Sequence, residues 1–395
     1  MNETRQTILN ILKAFLNNQQ NITIPNNLDW DKLNHIAEIN SISGIVGYVL
    51  QQANADEVPS EIRLKYEEEF FSTIAITTMR DEDMKSLIGL LNENSIDHLL
   101  FKGYVVKELY TVPELRTYGD IDFAIKLESR GKCNAMMCNN GYKLLDDWEP
   151  VYSYDKNNEH YEIHTELLDS NLNNNYDYQT YFRDFWKHAN RIDQHTYVLD
   201  PEFHLLYLLM HIAKHVYSSG AGIRMYLDIA FYLCEYREKI DWEHFQNEVQ
   251  TLKITKFVNT VFTAVEKWFE IESPIPLNDI DDDFMDEFLT FTLNGGVFGY
   301  NGKAAKLSQV RKNSQDGKVK RADTLLKRAF PSANLIKARY TYLEGKPWLL
   351  PVAWVHRFFK KKGTTADYLE ESKKILKTNK EDVIELNDFY RKIGI

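Results

Sequence analysis

The segment DIDFAIKL at residues 120–127 constrains the fold more than any other, because polar and apolar residues alternate along it. Alternation with a period of two is typical of a β-strand with one buried face, since residues i and i+2 share a face. The apolar members, which are expected to face a core, are Ile121, Phe123, Ile125 and Leu127. Asp120 and Asp122 are therefore predicted to lie on the opposite face.

Two aspartates on one strand face need a compensating partner. Aspartate is depleted in strands, and like charges at neighbouring positions repel each other. Mg²⁺ would offset this repulsion, because it binds one or two carboxylates and completes its shell with water and phosphate oxygens. The alternative is a solvated strand whose aspartates have no role, and an isolated D-x-D pattern does not exclude it.

Two further motifs favour the metal-binding interpretation. Lys102 and Gly103 lie where a short apolar run, DHLLF, meets a helical segment, and a glycine there lets the backbone approach a phosphate group. In the later segment YEIHTEL, polar residues again alternate with apolar ones, which places Glu162, His164 and Glu166 on one strand face. The sequence therefore predicts a third carboxylate on a neighbouring strand.

The chain is predicted to contain four regions. Residues 1–92 place apolar residues at helical spacings, and residues 93–170 combine several candidate strands with a helix that ends at Gly141. Residues 171–300 return to helical patterns, with a helix that starts near Pro201, and residues 301–395 are helical and basic. We therefore expect an α+β fold, in which a mixed-sheet α/β unit is flanked by mostly helical regions.

The order of these motifs resembles the nucleotidyltransferases of the DNA polymerase β-like superfamily. The shared features are a strand, the K-G pair, a short helix, DIDFAI and a later strand with EIH. Within the superfamily, the sequence is most similar to a poorly characterised bacterial family in which K-G replaces the usual G-S. The resemblance covers residues 95–168 and touches MHIAKHVYSSGAGIRMYLDIAFYL and KPWLLPVAWVHRFFKK. It implies a minimal nucleotidyltransferase unit at residues 93–170.

The resemblance also implies roles for individual residues. Asp120, Asp122 and Glu162 match the catalytic acids that bind two divalent ions, Mg²⁺ or Mn²⁺, during nucleotidyl transfer. Lys102 and Gly103 stand where the superfamily places its phosphate-contacting G-S pair. The serine hydroxyl that normally helps to hold the triphosphate is absent from this sequence.

A second set of residues is predicted to contact the nucleotide. Arg116 carries a planar fork that suits phosphate oxygens, although an ion pair at the surface would explain it equally well. The other candidates are His164, His211, His215, Arg224 and Asp228. For His211 and His215 the alternative is an ordinary position in the core or at the surface. A zinc site is not favoured, because HIAKH lacks the glutamate of H-E-x-x-H.

The C-terminal region contains a locally basic segment. Residues 303–362 include sixteen Lys or Arg residues against three acidic ones, with aromatic residues interleaved. A solvated helical face explains such a segment, and the alternatives are RNA binding and association with a membrane surface. A second D-I-D, at residues 279–281, precedes an apolar-periodic helix and is interpreted as a helix cap.

Composition limits the remaining classes. The chain has 395 residues and a formal charge of −11, which is not typical of a protein built to bind polyanions. Three irregularly spaced cysteines do not form a disulfide framework, so free thiols are expected. No signal-peptide pattern is present, and no apolar run reaches the ~18 residues of a membrane span. We expect a cytoplasmic protein.

The sequence thus predicts a Mg²⁺- or Mn²⁺-dependent enzyme that transfers an NMP group from an NTP to a hydroxyl group of a protein, an RNA or a small molecule. One alternative is a non-catalytic protein that keeps the fold and binds a nucleotide or a partner. Another is a toxin-like nucleotidyltransferase that acts on RNA through its basic region. Similarity of fold does not decide among these acceptors.

Overall fold

A computed structural model describes residues 3–19, 22–52, 58–148, 150–168, 172, 176–218, 220–296, 326, 330, 332, 340–343, 346–360 and 380–395. These residues divide into two units, one within residues 1–216, 220–299 and 394, and the other within residues 217–219, 300–393 and 395. The helices up to residue 295 are α1 (Glu3–Leu16), α2 (Trp30–Ile39), α3 (Ser43–Leu50), α4 (Ser60–Glu93), α5 (Gly103–Val106), α6 (Arg130–Asn139), α7 (Tyr178–Arg183), α8 (Pro201–Ser218), α9 (Ile223–Tyr236), α10 (Trp242–Thr251), α11 (Thr255–Phe269) and α12 (Asp282–Gly295). The strands are β1 (His98–Leu100), β2 (Ile121–Ile125), β3 (Lys143–Trp148), β4 (Val151–Lys156), β5 (Glu159–His164), β6 (Ala189–Arg191) and β7 (Thr196–Leu199).

Helices α1 to α4 form the N-terminal part of the first unit. Helix α2 begins after Asp29, whose carboxylate accepts a hydrogen bond of 3.0 Å from the backbone N–H of Lys32. Helix α4 has 34 residues and buries Met84, Leu87 and Leu91, which are spaced by three and four residues along one stripe. This stripe packs on the sheet and makes α4 part of the framework of the site.

The strands form one seven-stranded mixed sheet in the order β3-β4-β5-β2-β1-β7-β6. Strand β2 runs parallel to β5, and β1 runs parallel to β7, whereas the other neighbours are antiparallel. The sheet confirms the predicted α+β class. The sequence pattern did not predict β6 and β7, which have three and four residues.

One face of the sheet packs against α4 and α6 and forms a hydrophobic core. Ile121, Phe123 and Ile125 are at most 2% exposed in this core, as the alternation predicts. Leu127 does not follow the pattern, because β2 ends at Ile125 and Leu127 lies in a following 3₁₀ turn, where it is 53% exposed. The prediction of Leu127 as a core residue is therefore wrong.

Helix α8, as far as Val216, and helices α9 to α12 make up the later helical part of the first unit. Helix α8 begins at Pro201, which fits a proline at a position where no backbone donor is needed. At the start of α12, the carboxylate of Asp281 accepts a hydrogen bond of 3.2 Å from the N–H of Phe284. The second D-I-D motif is thus a helix cap, as predicted.

The second unit contains α13 (Leu350–Lys360) and α14 (Lys380–Ile393). Tyr340, Leu343 and Ala353 are buried together, and Trp354 packs against them, so this tryptophan of the basic segment has a structural role. The rest of the RNA-binding prediction for residues 303–362 falls largely outside the described residues.

No helix in the described part of the chain has the length and apolarity to cross a membrane. The three cysteines are free, as predicted.

Candidate active site

Strands β2 and β5 bring together acidic residues from two motifs that are distant in sequence. Asp122 pairs in register with Glu162, and Ala124 pairs with His164. Paired residues on neighbouring strands point to one face of a sheet. Asp122, Glu162 and His164 therefore project from the face opposite the hydrophobic core. Glu166 does not join them, because β5 ends at His164.

These three residues form a cluster of the metal-ligand type. One ligand atom from each lies within 4.8 Å of the others, and the described residues contain no second group of this kind. Nε2 of His164 is 2.9 Å from Oδ1 of Asp122 and 3.6 Å from Oε2 of Glu162. Within the described residues, Oδ2 of Asp122 has no hydrogen-bond donor, so this oxygen is not committed to the protein.

The ammonium group of Lys102 lies in the same cluster. Its Nζ donates to Oδ1 of Asp122 at 2.6 Å and lies 3.4 Å from Nε2 of His164. Burial opposes both charges, but the ion pair outweighs it, so the pKa of Lys102 is raised and the pKa of Asp122 is lowered. Asp122 is consequently ionised at neutral pH with a positive charge beside it. The carboxylate of Asp122 thus already holds one cation, the ammonium group of Lys102.

Asp120 lies one residue before β2, at the edge of the cluster. The residue is exposed and is not one of the three clustered ligands. Partial desolvation of its carboxylate raises the pKa of Asp120, and the negative charges of Asp122 and Glu162 raise it further. The three predicted catalytic acids therefore act on one another electrostatically, although Asp120 stands apart from the other two.

The K-G pair forms the turn between β1 and α5. Lys102 has a φ of 55°, a left-handed conformation that non-glycine residues rarely adopt. A Cβ atom at Gly103 would lie 2.2 Å from Nη1 of Arg116 and 3.0 Å from Cβ of Tyr118. The close passage of Arg116 is a sufficient reason for glycine at this position, and α5 itself has only four residues.

Arg116 belongs to a buried ion pair, so its interpretation as a surface pair is wrong. Its Nε and Nη2 donate to the two carboxylate oxygens of Asp228 at 3.1 and 2.7 Å. The hydroxyl of Tyr110 donates to Oδ1 of Asp228 at 2.6 Å. Arg116, Asp228 and Tyr110 are all buried. The pair thus ties the loop before β2 to α9 in the interior.

Arg224 lies one turn before Asp228 on α9 and differs from Arg116 in its partners. Its Nη1 donates to Oγ1 of Thr117. Its Nε is buried and has no hydrogen-bond partner among the described residues. Burial and, to a smaller extent, the positive charge of Arg116 lower the pKa of Arg224 to about 10, although the negative charge of Asp228 acts in the opposite direction. Arg224 is thus a buried cation that forms no ion pair with a carboxylate of the described residues.

Helix α8 supplies aromatic and imidazole rings near the cluster. The rings of Tyr207 and His211 stack with centroids 5.9 Å apart, and His211 contacts His215 at 4.5 Å. Phe101, which precedes Lys102, contacts the rings of His164 at 5.3 Å and Tyr207 at 5.5 Å. A continuous set of rings therefore connects the cluster to α8.

His211 and His215 of α8 are neutral at neutral pH. Burial lowers the pKa of His211 well below its ordinary value and that of His215 to about 4, and the positive charge of Lys102 adds to both shifts. Asp122 acts on His215 in the opposite direction. The two histidines therefore lie within electrostatic range of the Lys102–Asp122 pair.

Two sets of contacts that support the site were not predicted from the sequence. The first is the hydrogen bond from Tyr110 to Asp228, across 118 residues of chain. The second comes from Arg80 of α4, which donates to the carbonyl of Tyr118 and to Oε2 of Glu159. These partners come from separate elements, so no local pattern in the sequence signals them.

A mixed sheet with carboxylates paired on neighbouring strands, a lysine-glycine turn and helical flanks is consistent with a nucleotidyltransferase-type fold. The sequence model of the family described as "uncharacterised nucleotidyltransferase" matches residues 26–270, which is more than half of the chain. The chain belongs to this family, which confirms the predicted resemblance. No curated protein and no solved structure matches it.

Proposed function

We propose that the protein is a metal-dependent nucleotidyltransferase that moves an NMP group from an NTP to a hydroxyl group of an acceptor. The observation that carries this proposal is the in-register pairing of Asp122 with Glu162, with His164 and Lys102 beside them. The family match supports transfer of a nucleotidyl group. The ligand cluster supports dependence on a divalent cation.

The side chains present fit a divalent ion. The oxygens of Asp122 and Glu162 are the hard ligands that Mg²⁺ and Mn²⁺ prefer, and His164 adds a nitrogen ligand. One cation, the ammonium group of Lys102, already binds to Asp122. Asp120 would add a further carboxylate at the edge. A bound ion would stabilise the charge on the phosphate oxygens and favour ionisation of the attacking hydroxyl.

The residues of the chain then have separate tasks in the transfer. The acceptor oxygen bonds to the α-phosphorus of the NTP, the bond from that phosphorus to the bridging oxygen breaks, and pyrophosphate leaves. Glu162, whose side chain is 30% exposed, takes the proton of the acceptor hydroxyl. Lys102 keeps Asp122 ionised through their ion pair.

The other predicted nucleotide-binding residues support the site in different ways. Arg116 and Asp228 bind each other and hold the loop before β2 against α9. Gly103 leaves the space through which Arg116 passes. His211 and His215 offer neutral imidazole groups close to Lys102 without adding charge.

Incubation of the purified protein with labelled NTPs, Mg²⁺ or Mn²⁺ and cell extract tests this proposal. We expect label from the α-phosphate, but not from the γ-phosphate, to appear on an acceptor. Asp122→Asn and Glu162→Gln are expected to lower the transfer rate by about 100-fold or more, because each removes a group that holds the metal or takes the proton.

Asp146→Asn is the matched control for these variants. Asp146 is an exposed aspartate on β3 of the same sheet, and its replacement should leave transfer unchanged. Full transfer by Asp122→Asn would contradict the proposal. NTP binding that needs no metal and yields no product would favour the non-catalytic alternative.

A further inference from the structure

The first turn of α9 carries a positive charge that no described carboxylate pairs with. Arg224 is the second residue of α9, is 7% exposed, and forms no ion pair with any described residue. Asp228 lies one turn further along the same helix, and both of its carboxylate oxygens accept hydrogen bonds from Arg116. Burial of an unpaired cation is unfavourable, so an anion from outside the chain would stabilise this arrangement.

The hydrogen bonds of Arg224 leave part of its guanidinium group without a partner. Nη1 donates to Thr117, whose hydroxyl in turn donates to the carbonyl of Ser41 at 3.2 Å. Nε is buried and has no acceptor within the described chain. A guanidinium group with an unused N–H suits phosphate oxygens, because its donors lie in one plane.

An arginine Nε without a hydrogen-bond partner does not by itself indicate an anion site, as Arg130 shows. Its Nε also lacks an acceptor among the described residues. However, Nη2 of Arg130 is 2.6 Å from Oδ1 of Asp147, and its guanidinium carbon lies 3.8 Å from the ring centre of Tyr152. Arg130 is thus paired with a carboxylate of the protein, whereas Arg224 forms no ion pair with a described residue and only feels the more distant charge of Asp228, which raises its pKa.

The backbone around Arg224 adds to the positive potential. Helix α9 has fourteen residues, and its N-cap, Gly222, provides no side-chain cap. The first turn of α9 contains no acidic residue. The positive end of the helix dipole is therefore not opposed by a carboxylate of its own turn, which favours an anion there.

The charge of Arg224 also acts on His215 of α8, which lies near the metal-ligand cluster. Burial is the main cause of the low pKa of His215, and the positive charges of Lys102 and Arg224 both contribute to it. Asp122 acts on the same ring with the opposite sign. His215 thus lies within electrostatic range of Arg224 and of the Lys102–Asp122 pair.

We propose that Arg224, at the N-terminal turn of α9, binds the phosphate chain of the nucleotide, whereas Arg116 is a positioning residue that holds α9 through Asp228. This inference rests on the proposed function, because it takes the NTP as the anion. It assigns phosphate binding to a helical residue that lies outside the strand and K-G motifs.

Calorimetric titration with inorganic tripolyphosphate in metal-free buffer tests the inference. We expect the wild-type protein to bind this anion and Arg224→Gln to bind it at least tenfold more weakly. Arg237→Gln is the matched control, because Arg237 lies just beyond the other end of α9 and donates to backbone carbonyls of Glu272 and Ser273. The control should change the affinity less than twofold. No binding by the wild type, or equal binding by Arg224→Gln, would overturn the inference.

Thermal unfolding separates anion binding from a structural role. Since no carboxylate in the described part of the chain forms an ion pair with Arg224, Arg224→Gln should unfold at the wild-type temperature or above in the absence of anion. Tripolyphosphate should raise the unfolding temperature of the wild type but not that of the variant. A lower unfolding temperature without anion, or a variant that does not fold, would show a structural arginine and would also overturn the inference.

The two proposals can fail separately in these experiments. Metal-dependent transfer that requires Asp122, together with tripolyphosphate binding unaffected by Arg224→Gln, would retain the function and reject the phosphate site. Tripolyphosphate binding that requires Arg224, with no NMP transfer, would retain the phosphate site and reject the function.

Discussion

Asp228 is a buried carboxylate that accepts hydrogen bonds from two other buried side chains, so its replacement should disturb the interior. Asp228→Asn keeps the size of the side chain and removes its negative charge. In the structure, the carboxylate of Asp228 accepts two hydrogen bonds from Arg116, at 3.1 and 2.7 Å, and one from Tyr110, at 2.6 Å. The variant would leave Arg116 and Arg224 as two buried arginines without a carboxylate.

The expected cost follows from these contacts. Breaking a buried ion pair by removing one partner costs about 3–5 kcal/mol, because the remaining charge stays desolvated. Asparagine can still accept through its single oxygen, but its amide group would face an arginine N–H. We therefore expect the free energy of unfolding to fall by about 3–5 kcal/mol and the midpoint temperature to fall by about 6–10 °C, at about 2 °C per kcal/mol.

Denaturant unfolding of Asp228→Asn and of a matched control measures this cost. The control is Glu235→Gln on the same helix, since Glu235 accepts from Lys239 at 2.6 Å but both side chains are about half exposed. Loss of that exposed pair should cost about 0.5 kcal/mol or less. Equal losses for the two variants, or a loss below about 1 kcal/mol for Asp228→Asn, would refute the argument from burial.

Two further variants test single features of the structure. Gly103→Ala would place a Cβ 2.2 Å from Nη1 of Arg116, a side chain that Asp228 holds in place. This variant should lose about 1–3 kcal/mol of unfolding free energy, measured with denaturant. The control, Gly131→Ala, has open space at its Cβ and should lose none. Because burial lowers the pKa of His204 to about 4, the unfolded chain binds more protons there below pH 6.5, and stability falls as pH falls from 6.5 towards 4. His204→Phe should reduce the slope of unfolding free energy against pH in this window by about 1.4 kcal/mol per pH unit, and an unchanged slope would contradict the assignment.

The sequence predicts the parts of the fold that repeat with a local period. Alternation in DIDFAIKL placed Ile121, Phe123 and Ile125 in the core, and it failed at Leu127 because it does not mark where a strand ends. Strands β6 and β7 were missed because three or four residues are too few to show a period. The order of motifs identified the family correctly before any contact was known.

The partners of the buried charges could not be predicted in the same way. Arg116 and Asp228 are 112 residues apart, and Lys102 and Asp122 are 20 apart, so neither pair lies within one helix or strand. Only the folded chain shows that Arg116 forms an ion pair and that Arg224 forms none with the residues the structure describes. Sequence reasoning treated both arginines as nucleotide contacts. Both are buried, and what separates their roles is the ion pair that Arg116 forms with Asp228.

Binding of Mn²⁺ to the purified protein, measured by electron paramagnetic resonance, tests the central claim most directly. The claim is that Asp122, Glu162 and His164 together hold a divalent ion. It predicts saturable binding by the wild type and by Asp146→Asn, and binding at least tenfold weaker by Asp122→Asn and by Glu162→Gln. Equal Mn²⁺ affinity in all four proteins would contradict it.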